Sequence, residues 1–269
     1  MNAPLPRSYL FVPGHRPERF EKALAAGADA VILDLEDAVA PEDKARARAA
    51  IASWLSPERS VVVRINGPDS LWFGEDLALC ALAGVTAVMV PKAERRADLE
   101  RIAAVAIGRA ILPLIETAQG VENVRALAAA DGVQRLVFGS IDLQLDLGIR
   151  DDDQALLFFR SQLVLASRLA NLAPPVDGVN TAIDDVESLR RDTARARRFG
   201  FGAKLCIHPR QVATVNQGFM PTDEELAWAR RVLEAAAKAQ GAAVALDGKM
   251  VDRPVILRAQ AIVDEAARR

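Results

Sequence analysis

The stretch VILDLED (residues 31–37) is an apolar run that ends abruptly in three acids. The same pattern, an apolar run followed by a charged residue, recurs in VVVR (61–64), VMVPK (88–92), ILPLIE (111–116) and LVFGSID (136–142). Such β-branched runs indicate strands that are buried on both faces, as in a parallel sheet. Because an unpaired buried charge is costly, the charged ends are expected to converge at one end of the sheet, where enzymes of this architecture place their active sites.

Strand-like and helix-like segments alternate along the chain. Eight such repeats without a long insertion predict a (β/α)8 TIM barrel. A doubly wound open sheet is the alternative, but it more often carries a Gly-x-Gly-x-x-Gly fingerprint, and this sequence has none. The predicted strands are residues 9–12, 30–35, 61–65, 87–90, 111–115, 136–138, 175–179 and 204–207. The predicted helices are residues 17–26, 41–55, 71–83, 95–107, 120–130, 154–171 and 186–199.

The barrel is expected to form the catalytic domain over residues 1–218. Residues 219–269 are then a C-terminal helical extension of the same domain. Thr222 and Glu225 have the spacing of a capping box at the start of a helix, and a last helix is predicted over residues 255–267. A closed barrel does not need this tail, so it is expected to be a lid or an oligomer contact.

Composition limits the classes of function. A net charge of −2 provides no basic surface for nucleic acid, and 5% aromatic residues leave few platforms on which bases could stack. Cys80 and Cys206 lack metal-ligand spacing and lie in apolar runs, which favours core packing in a reducing compartment. No apolar stretch is long enough to cross a bilayer. The expectation is a cytoplasmic protein with neither a membrane nor a nucleic-acid partner.

Glu116 and Asp142 are the best candidate metal ligands, because each follows a predicted strand and those strands are consecutive. Two carboxylates with open positions suit Mg²⁺, which keeps water ligands and takes substrate oxygens. The two histidines, His15 and His208, are too few and too far apart for a typical zinc triad. The alternative is that the two acids only form ion pairs at the strand ends.

Asp34, Glu36 and Asp37 form a second acidic group. Alternation along the strand places Asp34 and Glu36 on one face and Asp37 on the other. Since several acids at one end of the barrel would repel one another, a hydrated divalent cation would relieve the crowding, with Asp34 and Glu36 orienting its water molecules. The alternative is that Asp37 only serves as a partner for the following helix.

Three cationic positions complete the candidate site. The planar fork of Arg64 could hold a carboxylate or a developing oxyanion, or act as counter-ion to the acids. Lys92 could be a Schiff-base nucleophile, but nearby acids should raise its pKa, which favours structural ion pairing. Arg16 and Lys22, at the first predicted helix, would ordinarily form a solvated face. Beside a barrel mouth they could also contact phosphates.

Eight ordered motifs resemble a known family, the citrate lyase β-subunit and the malyl-CoA and citramalyl-CoA lyases of the HpcH/HpaI aldolases. The similarity runs from about residue 7 to residue 261. The motifs are RSYLFVPG (7–14), LDLEDAV (33–39), VRIN (63–66), VPK (90–92), PLIET (113–117), FGSIDL (138–143), IHPRQ (207–211) and MVDRP (250–254).

The resemblance implies a barrel in which Glu116 and Asp142 hold Mg²⁺ and Arg64 binds the oxo or hydroxy acid part of the substrate. Asp252 matches a catalytic aspartate that the neighbouring subunit supplies in trimeric relatives. A homotrimer or hexamer is therefore expected. The positions that match the coenzyme A site of the lyases are Phe11, Arg16, Lys22, Ile141, His208 and Pro209.

The function implied is reversible, Mg²⁺-dependent cleavage of a 3-hydroxyacyl-CoA, such as citryl-, malyl- or citramalyl-CoA, into an acyl-CoA and a 2-oxo acid. A water ordered by Glu36 is a candidate base for the hydroxyl proton. The loop at residues 180–183 lacks the aromatic or acidic residues expected there, which leaves the acyl group open. Two alternatives remain: a metal-dependent aldolase of free 2-oxo sugar acids, and an acyl-carrier-binding subunit of a larger lyase.

Overall fold

Eight parallel strands close into a barrel in sequence order in the computed structural model, which describes residues 5–150, 154–238 and 244–267. The first strand pairs with both the second and the eighth, and this pairing closes the sheet. The predicted TIM barrel is therefore confirmed. The strands are β1 (Ser8–Pro13), β2 (Ala30–Asp34), β3 (Val61–Arg64), β4 (Val85–Val90), β5 (Ala110–Ile115), β6 (Val137–Phe138), β7 (Val176–Asp177) and β8 (Ala203–Cys206).

Inward-pointing side chains from all eight strands fill the barrel. Because every strand is covered on both faces, each reads as a continuous apolar run rather than as an alternating one. The interior is a packed core rather than a channel, so a site is expected at the carboxyl ends of the strands. Its buried residues are Tyr9, Ile32, Val62, Ala87, Met89, Leu112, Leu114, Val137, Val176, Ala203 and Leu205.

Helices follow the strands, although several differ from the prediction. The first predicted helix is a 3₁₀ turn (Pro17–Arg19) followed by a short α-helix, and the predicted helix 120–130 is two helices that meet at Asn123. Two helices were not predicted: one begins at Ser140, in a stretch expected to be a loop, and the other at Pro209. The helices are α1 (Phe20–Leu24), α2 (Lys44–Trp54), α3 (Phe73–Leu79), α4 (Arg96–Val105), α5 (Ala118–Glu122), α6 (Val124–Ala128), α7 (Ser140–Leu147), α8 (Leu157–Leu169), α9 (Val186–Arg198) and α10 (Pro209–Gly218).

The chain divides into two compact units, Pro6–Asn216 and Gln217–Arg269 with Met1–Leu5. The C-terminal unit contains α11 (Asp223–Lys238), β9 (Val244–Leu246), β10 (Lys249–Val251) and α12 (Arg253–Ala267). Within the ranges described, no helix is long and apolar enough to cross a membrane.

The start of α11 confirms the predicted capping box. The Thr222 hydroxyl accepts from the Glu225 backbone N–H at 3.1 Å, and the Glu225 carboxylate accepts from the Thr222 N–H at 2.8 Å. The β9–β10 hairpin was missed. Its turn contains Asp247 and Gly248, both with positive φ, and Asp-Gly is a strong short-range hairpin signal.

Candidate active site

Arg64 and Asp34 form the centre of the barrel mouth. They are register partners at the ends of β3 and β2, and the guanidinium binds both Asp34 carboxylate oxygens at 2.7 Å. Its Nη1 also lies 3.1 Å from the Glu36 carboxylate. Burial works against the Arg64 charge, but the carboxylates of Asp34 and Glu36 outweigh it and raise the pKa of Arg64. The predicted counter-ion contact is thus present.

Asp34 also fixes the turn that follows β2. Its carboxylate accepts the backbone N–H of Glu36 at 2.9 Å and that of Ala38 at 3.2 Å. Both oxygens are therefore shared between Arg64 and the backbone. The role of Asp34 in orienting metal-bound water stays a prediction.

The predicted placement of Asp37 is wrong. Strand β2 ends at Asp34, so the alternation of faces stops there and the turn brings the Asp37 carboxylate within 3.8 Å of Arg64 Nη1. The helix contact comes instead from Lys44, at the start of α2. Its buried ammonium donates to the carbonyl oxygen of Glu36 at 2.8 Å and so stabilises the backbone of the turn that contains Asp34, Glu36 and Asp37.

Lys92 connects two acids of the mouth. Its ammonium lies 2.6 Å from Glu36 Oε1, and its backbone N–H donates to Glu116 Oε1 at 2.7 Å. Burial alone would lower the pKa of Lys92, but the hydrogen bond and charge of Glu36 outweigh it, so the pKa is raised. This confirms the expected direction and the expected ion pair, and it disfavours a neutral Schiff-base nucleophile.

Glu116 is the most perturbed acid of the site. It follows β5, is 2% exposed, and has a pKa raised to about 8 by burial and then by the charge of Asp142. A Cβ atom at position 139 would lie 2.4 Å from the Glu116 Cβ, so only glycine leaves room for this side chain. A buried acid beside a second carboxylate is an arrangement that a divalent cation would stabilise.

Asp142 does not end a strand as predicted. Strand β6 ends at Phe138, and Asp142 lies in the first turn of α7, where it is half-buried. The apolar run continued to residue 141 because Gly139 and the first two residues of α7, Ser140 and Ile141, carry no charge, although Ile141 is exposed. Over the described ranges, no group of three or more His, Cys, Asp or Glu side chains forms a cage. Mg²⁺ does not need such a cage, because two carboxylates together with water and substrate oxygens can complete its coordination.

The positions matched to coenzyme A lie on three segments. The Phe11 ring packs against the guanidinium of Arg64, with 4.7 Å between the centroid and Cζ. Arg16 precedes the first 3₁₀ turn instead of lying on a helix, and it pairs with Glu18 at 2.6 Å. Lys22 is exposed on α1.

The other matched positions follow β6 and β8. Ile141 is 44% exposed at the start of α7. His208 is half-buried, and its Nδ1 accepts from the Arg210 N–H at 3.2 Å. Pro209 begins α10 and is exposed. Asp252, in the C-terminal unit, precedes α12 and accepts the Val255 N–H at 3.3 Å.

A cavity of about 450 Å³ opens between the loops that follow β2, β3 and β4. One wall is the Trp72 ring, whose centroid lies 5.2 Å from the Lys44 ammonium. The wall at Asn66 is fixed by Asp76, which accepts from both the backbone and the side chain of Asn66. Sequence analysis did not single out Lys44 or Trp72. The lining residues are Glu36, Asp37, Lys44, Asn66, Gly67, Pro68, Asp69, Ser70, Trp72, Lys92 and Glu94.

A second ion cluster was also missed. Asp177 at the end of β7 binds Arg160 of α8 and Lys204 of β8, each at 3.0 Å, and all three side chains are fully buried. Burial would raise the pKa of Asp177, but the two cations outweigh it and lower that pKa. Arg160 lies in a helical pattern 17 residues before Asp177, so no spacing rule connects them. We call this cluster the closed triad.

Comparison with known proteins agrees with this geometry. The model of the family described as HpcH/HpaI aldolase/citrate lyase matches residues 7–209. The chain belongs to this family. The resemblance seen in the sequence is confirmed, and this HpcH/HpaI family member is a lyase.

Two curated relatives of this HpcH/HpaI protein carry different names. A citrate lyase subunit beta-like protein of Mycobacterium tuberculosis is 40% identical over 267 residues, covering 96% of this chain and 94% of the relative. A (3S)-malyl-CoA thioesterase of Cereibacter sphaeroides is 38% identical, covering 97% and 94%. A crystal structure of CitE from M. tuberculosis with magnesium, acetoacetate and coenzyme A superposes with a TM-score of 0.87 at 39% identity, covering 97% and 98%.

Proposed function

We propose that this protein catalyses the reversible, Mg²⁺-dependent cleavage of a 3-hydroxyacyl-CoA into an acyl-CoA and a 2-oxo acid. The observation that carries the proposal is Glu116, a buried acid at the barrel mouth with a raised pKa and a second carboxylate, Asp142, beside it. The magnesium, acetoacetate and coenzyme A bound to the similar CitE structure support it.

Glu116 and Asp142 would hold the Mg²⁺, which supplies a template and a Lewis acid for the hydroxy acid part of the substrate. The donor set fits this ion, since both ligands are hard carboxylate oxygens. Gly139 leaves the room in which the Glu116 side chain lies. The Lys92 N–H holds one Glu116 oxygen, and this contact orients the carboxylate.

Arg64 is proposed to bind the oxygen that becomes the ketone of the 2-oxo acid. Its contacts with Asp34 and Glu36 use three of the five N–H donors of a guanidinium. The remaining donors can stabilise negative charge that develops on the substrate oxygen. Because Asp34 clamps the guanidinium through two bonds, the fork is oriented before the substrate arrives.

Two carboxylates are proposed to move the protons. Glu36 would accept the proton of the substrate hydroxyl through an ordered water, as the C–O bond becomes a carbonyl and the C–C bond breaks. The electron pair of that bond remains on the acyl-CoA as an enolate, and Asp252 would protonate its carbon. In the synthetic direction Asp252 removes the same proton.

The coenzyme A portion is proposed to lie along the loops after β1, β6 and β8. Phe11, Ile141 and Pro209 would provide apolar contact, and His208 would line the same path. Arg16 and Lys22 would meet the phosphates. Since Arg16 now pairs with the exposed Glu18, phosphate binding would replace a weak surface ion pair with a charge-assisted contact.

A substrate panel tests the reaction. We expect malyl-, citramalyl- or citryl-CoA to release a 2-oxo acid with Mg²⁺, and activity to be lost in EDTA. Faster cleavage of the acyl-carrier thioesters would favour a subunit of a larger lyase, and cleavage only of free 2-oxo sugar acids would favour the aldolase alternative. Full activity in EDTA after exhaustive dialysis, or borohydride trapping of substrate on Lys92, would contradict the proposed mechanism.

Thioester hydrolysis is a second candidate, because one relative is named a (3S)-malyl-CoA thioesterase. In that reaction water attacks the thioester carbonyl, and free coenzyme A and a hydroxy acid are released. The same panel separates the two, since hydrolysis releases a thiol without any 2-oxo acid. Release of thiol alone would replace the lyase assignment with a hydrolase.

Asp252 is further proposed to act in the site of a neighbouring subunit, in a trimer or hexamer. Asp142→Asn and Asp252→Asn variants, each inactive, would be unfolded and refolded together. Mixed oligomers would contain sites with an intact metal pair from one chain and an intact Asp252 from another. Activity should return only in the mixture. Mixed oligomers that form but stay inactive would place Asp252 in its own subunit or outside the reaction.

A further inference from the structure

The backbone of Lys92 has an unusual conformation. Within the described ranges, three non-glycine residues have positive φ: Lys92 at 47°, Asn171 at 56° and Asp247 at 51°. Asn and Asp tolerate the left-handed region because their short polar side chains bond locally, but lysine has no such compensation. A strained residue persists only where the surrounding structure holds it, and such residues concentrate at functional sites.

The strain has an identifiable cause in the contacts of Lys92. The backbone N–H reaches Glu116 at 2.7 Å while the side chain reaches Glu36 at 2.6 Å. The next residue, Ala93, donates its own N–H to the Leu114 carbonyl of β5 at 3.2 Å. The angle φ sets the rotation between the N–H of a residue and its side chain. The value of 47° therefore lets Lys92 reach Glu116 with its backbone and Glu36 with its side chain, while the next residue stays bonded to β5.

We infer that Lys92 is a positioning residue, whose left-handed backbone aims its N–H at Glu116 and so orients that carboxylate for Mg²⁺. The inference rests on the proposed Mg²⁺ site. The Lys92 N–H is the backbone donor to Glu116 in this structure, and burial leaves the carboxylate little access to solvent that could orient it instead. Rotation of the residue into the right-handed or extended region would redirect the N–H or detach the loop from β5.

Substitutions that all remove the ammonium isolate the role of the backbone. Lys92→Gly and Lys92→Asn accept positive φ, whereas Lys92→Val strongly resists it and Lys92→Ala resists it more mildly. The affinity of the metal-free full chain for Mg²⁺ would be measured by calorimetry, without substrate. We expect Gly and Asn variants within about threefold of each other, and the Val variant at least tenfold weaker, the usual loss when a group that orients a ligand is disturbed.

The relative Mg²⁺ affinities of these variants decide whether the Lys92 backbone orients Glu116. Equal affinities of the Gly and Val variants would overturn the inference, and so would a Gly variant as weak as Val. If the Val variant fails to fold by circular dichroism, the Ala variant replaces it, with an expected affinity between those of Gly and Val. An Ala variant that matches Gly would then overturn the inference. Failure of the proposed function is visible separately, because the wild-type chain would then bind no Mg²⁺.

Discussion

The barrel contains two ion clusters that differ in how their charges are balanced. The mouth cluster consists of Asp34, Glu36, Arg64, Lys92 and Glu116, with Asp37 and Asp142 beside it, so five carboxylates face two cations. In the closed triad one carboxylate, that of Asp177, lies between two cations. The closed triad is fully buried, whereas the mouth cluster combines buried groups with the exposed side chains of Lys92 and Asp37.

The pKa values show what this difference means. The pKa of Asp177 is lowered although it is completely buried, whereas the pKa of Glu116 is raised to about 8. In the closed triad the buried acid is neutralised by its two cations, so the cluster needs no added cation and serves the fold. The mouth cluster has an excess of negative charge, which a bound divalent cation would offset. An excess of buried acids, rather than the mere presence of buried charge, therefore marks the candidate functional cluster.

The largest effect is expected from breaking the closed triad. Asp177→Asn removes the carboxylate that both Arg160 and Lys204 bind in the buried triad, which should lower the free energy of unfolding by about 3–5 kcal/mol. Denaturant titration measures this loss. The exposed pair of Glu187 and Arg190 supplies the control, since Glu187→Gln should change stability by less than about 1 kcal/mol. A small effect of Asp177→Asn would mean that the triad is not a fold element.

Glu116→Gln should reduce activity strongly while leaving the stability of the fold unchanged. Loss of this proposed metal ligand should reduce kcat on the order of 10³-fold or more, as expected when several kcal/mol of metal stabilisation are removed. The metal-free protein should not lose stability, because the substitution removes a buried acid that its neighbours disfavour. The measurements are turnover at saturating Mg²⁺ and denaturant unfolding in EDTA. Normal turnover would remove Glu116 from the metal site.

Arg64→Lys tests whether the mouth cation does more than neutralise acids. A lysine keeps the charge but cannot bind Asp34 through two bonds, so kcat should fall roughly 10²-fold, as for loss of an oxyanion donor. Arg160→Lys in the closed triad is the matched control and should affect unfolding rather than kcat. Near-normal turnover of Arg64→Lys would leave Arg64 as a counter-ion only.

The two clusters should also respond to pH in opposite directions. The pKa of Glu116 is raised on folding, so the metal-free protein loses stability as pH rises from the ordinary range of glutamate, near 4.3, towards about 8. The pKa of Asp177 is lowered, so its contribution is present above the ordinary range of aspartate and is lost on acidification.

At the proposed site Mg²⁺ would have to displace the Glu116 proton, so its affinity should rise by up to about tenfold per pH unit between pH 6 and 8. Calorimetry in buffers with different ionisation enthalpies would count the released proton. In Glu116→Gln this pH dependence should disappear. Release of no proton by the wild type at pH 6 would show that Glu116 is already ionised in the metal-free protein.

The fold was readable from the sequence because a parallel strand covered on both faces leaves a continuous apolar run. Even the two-residue strand β7 lies within its predicted range. The convergence of Asp34, Arg64 and Glu116 was also readable, since parallel strands bring their carboxyl ends to one rim.

Other parts of the site could not be read in this way. Asp142 was misplaced because the uncharged residues at the start of α7 extend an apolar run as well as a strand does. The closed triad joins residues from two strands and a helix, so only tertiary packing reveals it. The positive φ of Lys92 could not be predicted, because the residue type gives no sign of it: a lysine at this position is indistinguishable in the sequence from any ion-pairing lysine. Sequence thus located the rim but not the connections between its groups.

The position of Trp72 gives the protein a built-in optical reporter. Of the three tryptophans in the chain, Trp72 is the one in the wall of the cavity beside the mouth cluster. Trp54 contacts Phe20 edge to face and packs against the Arg59 guanidinium, and Trp228 packs within the C-terminal unit. With Trp54 and Trp228 replaced by phenylalanine, the fluorescence would come from Trp72 alone. Its intensity would follow changes at the Lys44 ammonium and in the cavity, and so would measure the rate of ligand binding directly.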